Sequence, residues 1–159
     1  MPRNFKSTAD LQQPDPKFGS MLATKIINKI MLDGKKTTAQ SIFYEALDLA
    51  EKKLPDLENG QEEIFTKAIE NVKPSVEVRS KRVGGANYQV PREVRKNRQQ
   101  SLAIRWLIDN TRKKSGKPMA RRLAEELVDA YNGTGASVSQ KETVHKMADA
   151  NKAYSHFNR

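Results

Sequence analysis

Between residues 76 and 90 the apolar spacing of this chain changes period. Val76, Val78, Ala86, Tyr88 and Val90 all fall on even positions, the two-residue repeat of a strand. On both sides of that stretch the repeat is helical, three and four residues apart. Gly84-Gly85 lies midway, where a hairpin would turn. The chain is therefore constrained to a set of helices burying a common core, interrupted once by a two-stranded antiparallel ribbon.

The helical segments can be placed from their faces. Ser20 opens a first helix, running to about Leu32, with Leu22, Ile26, Ile27, Ile30 and Met31 on one face. Lys25 and Lys29 share another face. Lys35-Lys36 follow in a loop. Thr37 to Gln40 has capping-box spacing. Ala39, Ile42, Phe43, Ala46, Leu47 and Ala50 then repeat until Pro55, and a loop follows over 55–61. Ile64, Phe65, Ala68, Ile69 and Val72 mark a third helix that Lys73-Pro74 ends. The stretch SLAIRWLI is apolar nearly all round and predicts a central buried helix, closed by Gly116. Pro118 suits the first turn of the next helix, which carries Met119, Leu123, Leu127, Val128 and Tyr131. A last helix is expected from a capping box at Ser139 to Glu142. The fold class is mainly α: a bundle of about six helices with one protruding β-hairpin between the third and fourth. With 159 residues this is one domain. Its parts are an N-terminal arm (1–19), helices (20–72), ribbon (73–91), helices (92–153) and a C-terminal tail (154–159).

A register can be proposed for the ribbon. Opposed residues in an antiparallel pair share a face. Placing the apolar residues together requires Val76 opposite Val90 and Val78 opposite Tyr88, with a loop of three to five residues at the tip. Glu77, Arg79, Lys81, Asn87 and Gln89 would then form the polar face, with Arg82 at the tip. A two-residue Gly84-Gly85 turn would set Val78 opposite Pro91 and mismatch the faces.

Charge gives the ribbon a partner class. The net charge is +10, from 29 basic and 19 acidic residues, which points to polyanions. Residues 73–98 hold eight Lys/Arg and two Glu, and residues 112–122 hold six Lys/Arg and no acid. Residues 37–72 hold eight acids and three Lys, so the molecule is polarised. A lone hairpin is marginal in water and needs packing or a ligand along it. Phosphates would pair with its Lys and Arg, and Asn87, Tyr88 and Gln89 could add hydrogen bonds or stacking. At the helix junction, Arg112, Lys113, Lys114, Lys117, Arg121 and Arg122 are more cations than a helix C-terminus needs for its dipole.

Several other chemistries are excluded. The absence of cysteine removes disulfides and thiol catalysis. No apolar run has membrane-spanning length and the N-terminus lacks a signal-peptide core, so a cytoplasmic protein without a membrane partner is expected. His145 could meet Glu142 and Asp149 on one face, but a single His makes no metal site. Trp106 belongs to the core with Leu102, Ala103, Leu107 and Ile108, and Phe43, Tyr44 and Phe65 to the core or its margin. No catalytic set or cofactor loop can be assembled, so no enzyme, cofactor or metal is expected.

The segments GSMLATKIINKIMLDGKKTTAQSIFYEAL, ENVKPSVEVRSKRVGGANYQVPREVR, LAIRWLI, RKKSGKPMARRLAEELVDA and HKMADANKAYSHF resemble the family of bacterial small-subunit ribosomal protein seven (the universal ribosomal protein seven family). The match runs from about Pro14 to Phe157. It implies a helical body with a protruding ribbon that binds the head domain of small-subunit ribosomal RNA early and nucleates its assembly. It implies a position at the subunit interface, with exit-site tRNA, messenger RNA and small-subunit proteins nine and eleven nearby. RNA contacts are implied at Lys35 and Lys36, along the ribbon, at the start of the following helix (Arg92, Arg95, Lys96, Arg98) and at Lys113 and Lys114. The first dozen residues hold only Arg3 and Lys6 as cations, where family members often carry several arginines, and Arg3 is kept as a candidate contact. The alternative is a DNA-bending architectural protein with a basic β-arm. Only Val83 could serve as the apolar wedge that such an arm needs.

Overall fold

The computed structural model describes residues 11–54, 57 and 60–158. Arg3 and most of the expected 55–61 loop lie outside them, while Gly60 and Gln61 already belong to a helix. Within the described residues six α-helices follow one another: α1 (Met21–Ile30), α2 (Lys36–Glu51), α3 (Gly60–Val72), α4 (Lys96–Lys113), α5 (Met119–Tyr131) and α6 (Gly135–Ala150). Strands β1 (Val76–Val83) and β2 (Ala86–Glu93) form the ribbon between α3 and α4, as the sequence predicts. A 3-10 segment, Lys152–Asn158, closes the chain where a tail was expected.

The core is built by α1 to α5. Ile26 and Ile27, Phe43 and Leu47, Ile64, Phe65 and Ile69, Leu107 and Ile108, and Leu123 and Leu127 are all essentially inaccessible. Each such side chain contributes about 1.5–3 kcal/mol relative to exposure. Trp106 is buried with them. Helix α6 gives the core cluster Val138, with Val144 packed against it, and lies at the edge of the bundle.

Several helix ends differ from expectation, and at two of them a distant side chain supplies the hydrogen-bond partner. Ser20 precedes α1 but its side chain makes no cap bond. Ahead of the helix the buried Asp15 accepts the N–H groups of Lys17 and Phe18 and the Tyr44 hydroxyl at 2.7 Å. Phe18 packs edge-on against Phe43 and Phe65. The described end of the N-terminal arm is thus docked on the bundle. Burial and the Asp15 carboxylate push the Tyr44 hydroxyl up to about 12, so it stays a donor. Helix α1 stops at Ile30, short of Leu32, and Arg112 Nη2 donates to the Lys29 and Ile30 carbonyls at 3.2 and 3.1 Å. Thr37 does not cap α2: the helix begins at Lys36 and Thr37 lies inside it.

Ser139 likewise lies inside α6, which starts at Gly135. The buried Glu126 of α5 supplies the cap: its Oε1 accepts the Ser137 N–H at 2.8 Å and the Ser137 hydroxyl at 2.6 Å. A carboxylate at a helix N-terminus satisfies an orphan donor and complements the dipole. Gly135 is required here, since its φ is +92° and a Cβ would fall 2.8 Å from Asp129 Cβ.

The ribbon register corrects the expected one. Val76 pairs with Glu93, Val78 with Pro91, Lys81 with Tyr88 and Val83 with Ala86. The turn is the two-residue Gly84-Gly85, with φ of +57° and +90°, as a tight hairpin loop requires. Val76, Val78 and Pro91 therefore share one face with Gln89 and Asn87. Tyr88 and Val90 share the other with Glu77, Arg79 and Lys81. The expected register assumed a single apolar face. In the fold both faces carry apolar residues toward the base, where Val90 is buried and Val76, Val78 and Pro91 are half-buried.

Candidate nucleic-acid interface

The ribbon's cations stand in the open. Arg79, Lys81, Arg82 and Arg92 are exposed, as are Asn87 and Gln89. Arg95 and Lys96 are exposed where the chain enters α4. Glu77 organises two arginines: Arg79 lies 2.7 Å from one oxygen and the half-buried Arg98 3.4 Å from the other. Ribbon base, α4 start and α6 end enclose a hollow of about 990 Å³. Arg79, Arg92, Arg95, Arg98 and Lys152 line it, against Glu77, Glu93 and Asp149. Such a concave basic surface can follow a phosphate backbone, with Arg forks suited to phosphate oxygens.

A smaller groove of about 280 Å³ lies between α1 and α4. It brings Lys25 and Lys29 beside Asn97, Gln100, Ser101 and Arg105. Lys25 Nζ donates to Gln100 Oε1 at 2.6 Å, and Lys29 lies 3.7 Å from Asp109. Lys35 and Lys36 are exposed at the turn into α2. Sequence reasoning missed Arg105, since SLAIRWLI reads as apolar all round. The sign was there: Asn97, Ser101, Arg105 and Asp109 form a polar stripe at four-residue spacing.

At the α4–α5 junction the six cations divide. Arg112 reaches the α1 carbonyls. Arg122 Nη1 donates to the carbonyls of Thr111, Arg112 and Lys114, closing the end of α4. Lys114 Nζ lies 2.6 Å from Glu126 Oε2, and Glu126 has no exposed surface. Burial opposes ionisation of Glu126. Lys114 and Ser137 outweigh it and hold the carboxyl below the ordinary glutamate value. Lys113, Lys117 and Arg121 remain exposed, Lys117 beside Glu125, whose carboxyl it pulls down. The expected cluster is thus half architecture and half accessible charge.

Tyr88 is not bare. Its ring packs against Tyr154 and Phe157 of the 3-10 segment, at 5.1 and 5.3 Å between centroids. Nor does His145 join Glu142 and Asp149 in a metal cluster. Its Nε2 accepts the Ser75 N–H at 3.2 Å, tying α6 to the ribbon base. Among the described residues no group of three or more ligands could hold a metal ion, and no helix is long and apolar enough to cross a membrane.

The family model described as ribosomal protein S7p/S5e matches residues 2–152. The small ribosomal subunit protein uS7 of Fervidobacterium nodosum is 55% identical over 157 residues, 98% of each chain. That of a Nitratiruptor species is 59% identical over 144 residues, 91% of each chain. That of Chloroflexus aurantiacus is 51% identical over 159 residues, 100% of this chain and 99% of the relative. The basic ribbon on a helical body and these full-length matches agree: the chain belongs to the S7p/S5e family of small-subunit ribosomal proteins.

Proposed function

We propose that this protein is a structural constituent of the small ribosomal subunit that binds the 3′ major (head) domain of its ribosomal RNA and nucleates head assembly. On this reading it works in the cytoplasm, at the subunit interface near the decoding centre. Messenger RNA, exit-site tRNA and small-subunit proteins nine and eleven are its neighbours. The observation that carries the reading is the set of exposed cations along the ribbon and into α4, Arg79, Arg82, Arg92, Arg95 and Lys96, of which Arg79, Arg92 and Arg95 line a basic hollow. Six of the eight acids of residues 37–72 sit instead on α2 and α3: Glu45, Asp48, Glu51, Glu62, Glu63 and Glu70. Polarisation of this kind presents one side to a phosphate backbone without repelling it elsewhere. The ribbon, the α1–α4 groove and the exposed half of the junction (Lys113, Lys117 and Arg121) are the proposed RNA contacts. The role is architectural, so no residue is assigned to catalysis.

The deciding experiment is chemical footprinting of small-subunit ribosomal RNA with and without the protein. Protection confined to the head domain supports the proposal. Protection scattered over the whole RNA, or equal competition by duplex DNA, rejects it.

A further inference from the structure

Two strands alone do not hold together well in water, so something must order the distal half of the ribbon. At the base, Val90 is buried and Ser75 is bonded to His145. Farther out the support is the chain's own C-terminal segment. Tyr154 and Phe157 are three residues apart, and in a 3-10 segment positions i and i+3 eclipse, so both rings lie on one side. They are nearly parallel, at 10°, and both meet Tyr88 of β2. Lys81 of β1, directly opposite Tyr88, donates from Nζ to the Phe157 carbonyl at 2.6 Å. One segment thus grips both strands at the same level. Lys81 keeps its charge in this contact.

We infer that Tyr154 and Phe157 are positioning residues. The C-terminal segment is an intramolecular splint that holds the distal ribbon, with Arg79, Lys81 and Arg82, in its extended form before nucleic acid arrives. This rests on the reading of the ribbon as an RNA-binding arm. An arm ordered in advance loses less freedom on binding, and so binds more tightly for the same contacts.

The test uses the full chain carrying Tyr154→Ala with Phe157→Ala, beside Tyr154→Phe as the conservative variant. Amide hydrogen exchange of the free protein is followed across Ser80 to Gln89. Exchange should quicken tenfold or more in the double variant and stay at the parent rate in Tyr154→Phe, with α1 to α5 unaffected in both. Binding to a transcript of the ribosomal RNA head domain is then measured across salt. The double variant should bind threefold or more weakly with an unchanged salt slope, because no phosphate contact has been removed. Ribbon exchange at the parent rate would overturn the splint. A reduced slope would overturn it too, by making the segment a direct RNA contact, as would tighter binding, which would make it a cover. If the parent itself fails to bind the transcript, the proposed function fails, and the exchange experiment still decides the splint.

Discussion

The α4–α5 junction and the ribbon look alike as sequence, with six cations between Arg112 and Arg122 and three between Arg79 and Arg82. In the fold they do different work. Arg112 and Arg122 are turned onto helix-end carbonyls, and Lys114 onto a buried carboxylate. Arg79, Lys81 and Arg82 stay at the surface, where Arg79 meets the half-buried Glu77 and Lys81 reaches a tail carbonyl. A cationic run therefore counts charges without saying how many are available. What decides is how deeply the acceptor lies: Glu126 is fully buried, whereas Arg79 and Lys81 stay exposed while they meet Glu77 and the Phe157 carbonyl.

Removing the buried acid should cost the most stability. Glu126→Ala leaves Lys114 facing a desolvated hole and strips the Ser137 N–H and hydroxyl of their acceptor. Breaking a buried pair from one side costs about 3–5 kcal/mol, and the lower end applies because Lys114 keeps some contact with water. A melting temperature roughly 10 °C lower is expected, at 2–4 °C per kcal/mol for a chain of this size. A fall of only a degree or two would mean that the junction is surface charge after all.

Acid tests the same pair without mutation. The folded protein holds the Glu126 carboxyl below its unfolded value. Its contribution is therefore fully present above the ordinary glutamate range of about 4.3 and is lost as pH falls through the folded value. Urea midpoints measured downward from pH 6 should decline in acid for the parent. They should decline less steeply for Glu126→Gln, which cannot ionise. Parallel declines would show that other carboxylates dominate.

Arg122→Ala should come next in size. It removes the donor shared by the Thr111, Arg112 and Lys114 carbonyls, leaving part-buried acceptors short of partners at a cost of about 1–3 kcal/mol. Arg121→Ala, one residue earlier and exposed, should leave the melting temperature within a degree or two. Equal losses in the two variants would erase the distinction between inward and outward cations.

The sequence made some of this plain and hid the rest. Helices and core were legible because their signals are local: Phe43, Leu47, Phe65, Ile69, Leu123 and Leu127 recur at helical spacing and are all buried. The start of α6 was not, because its cap is Glu126, eleven residues before Ser137 and on another helix. The inward turn of Arg122 was not, because a carbonyl acceptor leaves no mark in the side-chain sequence. The register was misjudged by matching apolar residues to one face, although Gly84-Gly85 names a two-residue turn. The splint left a sign that went unread, in two aromatic rings three residues apart near the end of the chain.

The ribbon's exposed cations should matter least for stability and most for binding. Changing Arg79, Lys81 and Arg82 together to Ala removes three exposed side chains. Glu77 keeps Arg98 as its partner, and the Phe157 carbonyl freed by Lys81 can turn to water. Surface ion pairs are worth about 0–1 kcal/mol, so the melting temperature should move by only a few degrees at most. Binding to ribosomal RNA should change far more. Each lost phosphate contact lowers the slope of log affinity against log salt by about 0.7–0.9, so the triple variant should lose up to two to three units of slope along with its affinity. Arg122→Ala, which removes one charge from an inward position, should destabilise the protein yet change that slope by less than one unit. Filter binding at several salt concentrations, beside thermal melting, places each variant on both axes. Should the triple Ala variant keep the parent slope, the ribbon's exposed cations would not be what meets the RNA, and exposure would be no better a guide to contact than the charge run itself.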